Sequence, residues 1–205
     1  MLMRYFVPAA LLCWSTVPMA AAANDIPMVA IGLPFAPDTP SPVPASHPLY
    51  QQIEVAEIIG LPPTVKSSRM NFIAAAKRSS INDALRTSLQ RMNMLAPDAA
   101  AARARLIVTW RAIHPPVREG HHAATVTLHY RLLRVANGEQ LFEREVTTSA
   151  KGSGIDLVML ENGLARAAIA ANFASIAYCL DRAPSGTAPA NCALSPLFSV
   201  EVRRR

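Results

Sequence analysis

Apolar and polar side chains alternate along three successive stretches of the chain, residues 104–113, 123–133 and 140–148. A period of two is typical of β-strands that bury one face, because successive side chains of a strand point to opposite sides. The apolar positions of the three stretches are Leu106, Val108, Trp110, Val126, Leu128, Tyr130, Leu132, Phe142 and Val146. The pattern predicts three consecutive strands that share one dry face.

The pair Asn137–Gly138 separates the second of these strands from the third. Asn-Gly is a strong signal for a tight hairpin turn, in which both central residues adopt positive φ. Residues 128–146 are therefore predicted to form a β-hairpin. Its dry, apolar face is interpreted as the surface against which the helices pack.

Two other stretches have a helical period. In residues 79–95, Ser80 and Asp83 have the spacing of a capping box at a helix start. The apolar stripe of this helix is Ile81, Ala84, Leu85, Ser88, Leu89, Met92 and Leu95. A longer, alanine-rich helix is predicted over residues 156–181, and its main stripe is Val158, Ala165, Ile169, Phe173, Ile176 and Leu180.

A fourth strand is predicted in residues 53–60, where Ile53 and Val55 flank Glu54 before Gly60. The order within residues 50–181 is therefore β-α-β-β-β-α. A sheet with one apolar face needs a cover, and two amphipathic helices provide it. The predicted fold class is α+β, a two-layer sandwich in which an antiparallel four-stranded sheet is covered by two helices.

The last helix carries a second set of apolar residues on the side opposite to its main stripe: Leu157, Leu160, Leu164, Ala168, Ala171 and Tyr178. A helix that is apolar nearly all round is normally buried on both sides, whereas a two-layer sandwich leaves the outer side exposed. This set is therefore predicted to bind a partner. The alternative is that the proline-rich arm or residues 197–202 cover it.

The N-terminus has the features of a secretory signal peptide over residues 1–23. Arg4 precedes an apolar run, and small residues end at Ala23. The run is too short and too rich in proline for a transmembrane helix. A lipid anchor is not expected, because Cys13 follows Leu12, which is not a small residue. The mature chain is predicted to be periplasmic and to begin with a proline-rich arm, residues 24–49.

The mature chain contains two cysteines, Cys179 and Cys192, at the two ends of a stretch rich in proline, glycine, serine and alanine. In an oxidising compartment, two cysteines that close a short loop usually form a disulfide. The pair is predicted to tie the C-terminal tail, residues 182–205, to the last helix. A thiol nucleophile is the alternative, but no histidine lies near either cysteine in the sequence.

The histidines do not form a metal motif. His114, His121 and His122 flank one predicted loop and His129 lies in a strand, but no carboxylate or cysteine completes a ligand set at a fixed spacing. No metal ion and no cofactor are therefore predicted.

Residues for catalysis are equally scarce. Ser153 lies in "KGSG" without a nucleophile elbow, and no phosphate-binding or dinucleotide-binding glycine motif occurs. Glu143 and Glu145 share the wet face of a strand and could act as acid and base, but Arg131 and Arg144 indicate cross-strand charge pairing. No catalytic residue is predicted.

The chain is basic, with a formal net charge of +6 at pH 7 and a pI of about 9.7. Its basic residues are scattered and are not interleaved with aromatic ones, so nucleic acid is not expected as a partner. A basic envelope protein is compatible with peripheral contact with the outer membrane or with an anionic glycan or lipid.

The stretches "INDALRTSLQRMNMLA", "ARARLIVTWRAI", "AATVTLHYRLLRVANGEQLFEREVTT" and "ENGLARAAIAANFASIAYCL" resemble small envelope lipoproteins of Gram-negative bacteria. The most similar group is the alphaproteobacterial proteins often labelled UDP-N-acetylglucosamine acyltransferase. The lipoprotein partner of the lipopolysaccharide translocon and the transport-auxiliary lipoproteins are more distant. The resemblance covers roughly residues 50–181 and implies a helix, three meandering strands and a closing helix.

For function, the resemblance implies a non-catalytic periplasmic module that binds or scaffolds an envelope-assembly or transport complex. The acyltransferase label implies a helix of hexapeptide repeats, and this chain has no six-residue period. Two alternatives stay open. One is an envelope enzyme that acts on a glycan or lipid, and the other is a soluble carrier of a small apolar ligand.

Overall fold

The computed structural model describes residues 41–66, 74–114, 122–153, 157–185, 192 and 199–201. The predicted signal peptide and most of the proline-rich arm lie outside these residues. The described elements are β1 (Ile53–Val55), β2 (Thr64–Lys66), β3 (Ala74–Lys77), α1 (Arg78–Arg91), β4 (Ala104–His114), β5 (His122–Arg134), β6 (Gln140–Ser153), α2 (Leu157–Arg182) and β7 (Ser199–Glu201). A single 3₁₀ turn, Ala183–Ser185, follows α2.

The main sheet is mixed and has the strand order β1-β4-β5-β6-β7. Strands β4, β5 and β6 are antiparallel, as predicted. The prediction of a four-stranded, wholly antiparallel sheet is wrong at both edges, because β1 runs parallel to β4 and β7 runs parallel to β6. In each case a helix lies between the two strands in sequence, and a helical crossover returns the chain in the same direction.

Helix α1 begins three residues earlier than a cap at Ser80 would place it. Its N-cap is Lys77, with no hydrogen bond from a side chain, so the predicted capping box is not formed. Strand β3 runs directly into the helix, and the N–H of Arg78 donates to the carbonyl oxygen of Pro63 at 2.9 Å. Five of the seven residues of the predicted apolar stripe are buried, Ile81, Ala84, Leu85, Leu89 and Met92. Ser88 and Leu95 are half-buried, and Leu95 lies beyond the end of the helix.

The turn of the β5–β6 hairpin differs from the predicted two-residue type. Only Gly138 adopts positive φ, at 71°, and the loop spans residues 135–139. The side-chain oxygen of Asn137 accepts from the N–H of Glu139 at 3.1 Å, and the N–H of Arg134 donates to the carbonyl of Glu139 at 2.8 Å. Asn137 therefore stabilises the turn through its side chain, as asparagine often does.

The core lies between the inner face of the sheet and the helices. Helix α2 contacts β5 and β6, and α1 lies beside α2. The predicted dry face of the hairpin is confirmed, since Leu128, Tyr130, Leu132, Phe142 and Val146 are all buried. The main stripe of α2 is also buried: Ala165, Ile169, Phe173, Ile176 and Leu180.

Helix α2 contains the one stretch of the described residues, Leu160–Arg182, that is long and apolar enough to cross a membrane. Of its most apolar part, 78% is buried inside the fold. Burial to this extent is what the central helix of a packed core shows.

The predicted disulfide is present between Cys179 and Cys192, whose Cα atoms are 5.6 Å apart. Both cysteines are buried. The bond joins the last turns of α2 to the chain that leads to β7, so it restrains a long helix and an edge strand together.

Replacing both cysteines with alanine is expected to lower the free energy of unfolding by about 3 kcal/mol, because the closed loop has a sequence separation of 13 and loop-closure entropy of the unfolded chain is restored. The variant is expected to fold, since every residue of the core stripes except Leu180 lies outside the loop. Urea denaturation with and without dithiothreitol measures the effect. The reductant is expected to shift the midpoint of the native protein and to leave that of the variant unchanged; equal midpoints for all samples would contradict the prediction.

Candidate functional site

A groove of about 870 Å³ lies at the end of the sheet where β5 ends and β6 begins. Its walls come from residues 45–52 before β1, residues 102–104 at the start of β4, the hairpin turn, and the 3₁₀ turn after α2. Segments far apart in sequence therefore meet here. A volume of this size is within the range of ligand sites.

The floor of the groove is apolar. Leu49, Ala104 and Leu132 line it and are buried. At the rim, Val135 is 47% exposed and Leu141 is 38% exposed. Among the described residues, Ile59 is the only other exposed large apolar side chain. Two of the three exposed large apolar side chains of the described residues therefore lie at this groove, which we call the hairpin groove.

His47 holds one wall of the hairpin groove in place. Its Nδ1 accepts from the N–H of Leu49 at 3.1 Å. Its Nε2 donates to the carbonyl oxygen of Asp181 at 3.0 Å. Because both ring nitrogens are engaged, the segment before β1 is fixed to the end of α2.

Gln52 fixes the neighbouring wall. Its backbone carbonyl accepts from the N–H groups of Arg103 and Ala104, both at 3.0 Å. Its side-chain Nε2 donates to the carbonyl oxygen of Tyr50 at 3.1 Å. These bonds join the entry to β1 with the entry to β4, so the groove is built on a rigid part of the sheet.

The lining of the hairpin groove is positively charged. It includes Arg103 and Arg134 and contains no aspartate or glutamate. Arg134 is 3.4 Å from Glu139 in the hairpin turn. Arg103 is exposed and forms no ion pair within the described part of the chain. The rim therefore carries one guanidinium group that is available to an anion.

A buried polar network lies under α2. The Tyr130 hydroxyl donates to Oδ1 of Asn172 at 2.6 Å. The Asn172 amide nitrogen lies within hydrogen-bond distance of the Val146 carbonyl, Thr148 Oγ1 and the Val126 carbonyl, at 2.8, 3.1 and 3.3 Å. Thr148 in turn donates to the carbonyl of Ala168 at 2.7 Å. The network connects α2 to β5 and β6, and it fixes the position of the helix on the sheet.

Burial raises the pKa of Tyr130 well above its usual value of 10.0. The neutral phenol is thus favoured in the folded state, and it contributes stability that is present below the unfolded pKa and lost as the pH rises through the folded pKa. During alkaline titration, one tyrosine is expected to ionise only as the protein unfolds. Phenolate absorbance, followed together with circular dichroism, measures this.

Tyr130→Phe is expected to remove the delayed ionisation, whereas Tyr50→Phe is expected to retain it. If Tyr130→Phe keeps the delayed step, the assignment to Tyr130 is wrong. The Phe variant also leaves the Asn172 oxygen without its donor, and this is expected to cost about 1–3 kcal/mol.

The outer face of the sheet is polar and charge-paired. Glu143 lies 3.0 Å from His129, and Glu145 lies 4.0 Å from Arg111. Arg131 is the cross-strand neighbour of Glu143 in the strand register, but the ion pairs of the two glutamates are with His129 and Arg111. Arg144 lies on the other face, 5.5 Å from the centre of the Phe142 ring. Hydroxyl pairs such as Thr127–Thr147, at 3.0 Å, complete a surface of cross-strand contacts.

The part of the chain that the structure describes contains no group of three or more histidine, cysteine, aspartate or glutamate side chains that could hold a metal ion. The side chains of His114, His121, His122 and Ser153 lie outside the described residues. Of these four histidines, only His129 has a described side chain, and its partner is Glu143.

The predicted partner-binding face of α2 is found mostly inside the protein. Leu160, Leu164 and Ala168 are fully buried and Ala171 is 4% exposed. Besides the sheet, α2 contacts β3 and α1, and the two-layer prediction lacked the short β2–β3 pair. The expectation of an exposed outer face is therefore wrong for these four residues.

Two members of that set differ from the others. Tyr178 is half-buried, and Arg182 lies 4.0 Å from the centre of its ring. The side chain of Leu157 lies outside the described residues. The role of the whole set in partner binding stays a prediction.

Sequence reasoning did not find the hairpin groove. Its lining residues lie in four separate segments, 45–52, 102–104, 132–141 and 183–184, and none of these segments has a binding motif. The sequence signal for the groove was the apolar character of Val135 and Leu141 beside the hairpin turn, because turn residues are usually polar.

The mixed sheet and its two helices place the chain in the α+β class. No protein-family model matches the chain, and no curated protein sequence matches it. Among solved structures, the fold is similar to that of XCC0632 from Xanthomonas campestris, of family DUF330. That comparison gives a TM-score of 0.55 and 14% identity over 71% of this chain and 92% of XCC0632. At this identity, the similarity shows a shared fold.

Two other structures are more distant. CT253 from Chlamydia trachomatis gives a TM-score of 0.48 at 9% identity, over 66% of this chain and 98% of its own. A minor lipoprotein from Acinetobacter baumannii gives a TM-score of 0.40 at 12% identity, over 64% of this chain and 93% of its own.

Proposed function

We propose that the chain is a non-catalytic periplasmic module that binds or scaffolds a protein complex of the cell envelope, and that the hairpin groove is its binding site. The observation that carries the proposal is the groove itself, which has an apolar floor, an exposed apolar rim and an available guanidinium group. The features of a signal peptide in residues 1–23 support the location. The fold shared with XCC0632 is compatible with it.

The chemistry of the groove favours binding over catalysis. Acid–base catalysis requires a titratable group with a free position near the substrate. His47 is the histidine in the lining, and both of its ring nitrogens are engaged. The arginines of the lining are cations and act as binding groups. The arrangement can hold an anionic or apolar group and offers it no proton acceptor.

Site-specific crosslinking tests the proposal. A photoreactive amino acid is introduced at Val135 or Leu141 on the groove rim, and at Ile59 as the matched control. Ile59 is 55% exposed and apolar but does not line the groove. In the cells that encode the protein, the two rim positions are expected to yield adducts with one and the same envelope protein, and Ile59 is expected to yield none.

Equal adducts from Ile59 would contradict the groove as the binding site. Absence of adducts from all positions, together with turnover of a glycan or lipid by the purified chain, would favour an enzyme instead. A lipid that copurifies with the chain and is released by Leu141→Ser would favour a carrier of a small apolar ligand.

A further inference from the structure

We infer that the hairpin groove takes an extended, acidic and apolar peptide segment of a partner protein, which places a carboxylate on Arg103 and an apolar side chain against Val135 and Leu141. This inference rests on the proposed function and names the chemistry of the partner.

The exposure of two apolar side chains on the groove rim indicates an apolar group on the partner. Among the described residues, Val135 and Leu141 are two of the three large apolar side chains that are exposed, and both are on this rim above the buried Leu132. Removing apolar surface from water is favourable in proportion to its area. A partner that covers both side chains and reaches the floor removes most of the exposed large apolar groups of the described surface.

The acidic part follows from charge. Two arginines line the groove and no carboxylate does. Arg134 is already close to Glu139, whereas Arg103 has no carboxylate within ion-pair distance among the described residues. A guanidinium group binds a carboxylate through two parallel hydrogen bonds, which gives orientation as well as affinity. The formal net charge of +6 also favours approach of an anionic partner.

The lining favours a peptide over a lipid chain. Polar side chains of His47, Gln52, Arg103 and Arg134 are interspersed with the apolar ones, and the groove is open to solvent on one side. An acyl chain gains most from a continuous apolar wall, because polar groups buried against it lose their hydrogen bonds with water. A peptide offers an amide at every residue and can leave its outer side in water.

The test uses the full mature chain and three probes. The first is a short peptide, blocked at both ends, that alternates leucine and aspartate. The second has lysine in place of aspartate, and the third is dodecanoate. Binding is measured by the change in backbone amide resonances of Val135, Leu141 and Arg103. The acidic peptide is expected to shift these resonances saturably, and the basic peptide is expected not to.

Two charge variants complete the test. Arg103→Glu is expected to weaken binding of the acidic peptide by about tenfold or more, because a charge-assisted contact is replaced by repulsion. Arg91→Glu is the matched control, since Arg91 is exposed at the end of α1 and does not line the groove. It is expected to change the affinity by less than about twofold at moderate salt, where distant charges are screened.

Equal weakening by both variants would overturn the inference, because the attraction would then come from net charge alone. Saturable binding of dodecanoate at these resonances without binding of the acidic peptide would also overturn it and would identify a lipid site. Failure of the acidic peptide while crosslinks from Val135 and Leu141 persist would refute the acidic partner and leave the proposed function standing.

Discussion

Replacing both Leu160 and Leu164 with serine is expected to abolish cooperative unfolding. Both side chains are 0% exposed, and each large-to-small change in a core costs about 2–5 kcal/mol, to which the buried hydroxyl adds about 1–3 kcal/mol. The combined loss is comparable to the whole stability of a typical domain, about 5–15 kcal/mol. Circular dichroism during urea titration measures the loss.

Leu141→Ser is the control for this experiment, because it makes the same change of leucine to serine at an exposed position on the groove rim. It is expected to lower the free energy of unfolding by less than about 1 kcal/mol. If the double variant of α2 unfolds with the native midpoint, the outer face of the helix is exposed after all, and it returns as a candidate partner surface.

Replacing Asn172 with alanine is expected to lower the free energy of unfolding by about 3 kcal/mol. The amide is the centre of the buried network and is bonded to Tyr130, Thr148 and the carbonyl of Val146. Its removal leaves several buried polar groups without partners, and each of these costs about 1–3 kcal/mol when water cannot replace the bond. Urea denaturation measures the difference.

Asn172→Asp is a sharper test because it keeps the shape of the side chain. A carboxylate would lie against the carbonyls of Val126 and Val146, which are acceptors and cannot donate to it. Burial raises the pKa of such a carboxyl above its unfolded value of about 3.9. The neutral acid is favoured in the fold, so the variant is expected to be least stable at neutral pH and to recover as the pH falls.

At pH 7 the aspartate variant is expected to be less stable than the alanine variant, and the difference is expected to shrink in mildly acidic buffer. Denaturation midpoints of both variants, measured at pH 7 and in mildly acidic buffer, test this expectation. A neutral-pH stability equal to that of the native protein would show that water reaches Asn172 and that the network is not buried.

The central strands and both helices could be predicted because their patterns are local. Alternation along 104–113, 123–133 and 140–148 fixes which side chains face the core, and burial of Leu106, Val126 and Val146 follows from it. The 3.6-residue period likewise identifies the side chains of α1 and α2 that face the core. The disulfide could be predicted because the predicted mature chain has two cysteines, which allow only one pairing.

The sheet edges and the surroundings of α2 depend on contacts between distant segments. The parallel direction of β1 and β4 could have been predicted from the helix that lies between them in sequence, since a helical crossover makes strands parallel. The packing of β3 on α2 could not be predicted, because β3 is the short stretch "AAAK", which has no periodicity. The same reason applies to the hairpin groove, since Leu49, Arg103, Val135 and Pro184 come together only in the folded chain.

The pairing of β6 has a consequence for solubility. Strand β7 pairs with Lys151, Gly152 and Ser153 at the end of β6. Over residues 140–150, the side of β6 turned away from β5 pairs with no other strand in the described part of the chain. An open strand edge is a template for aggregation, and charged side chains along it make the addition of another strand costly. Glu143, Arg144 and Glu145 lie in the middle of this edge, so these charges are expected to disfavour intermolecular β-sheet growth while the fold forms.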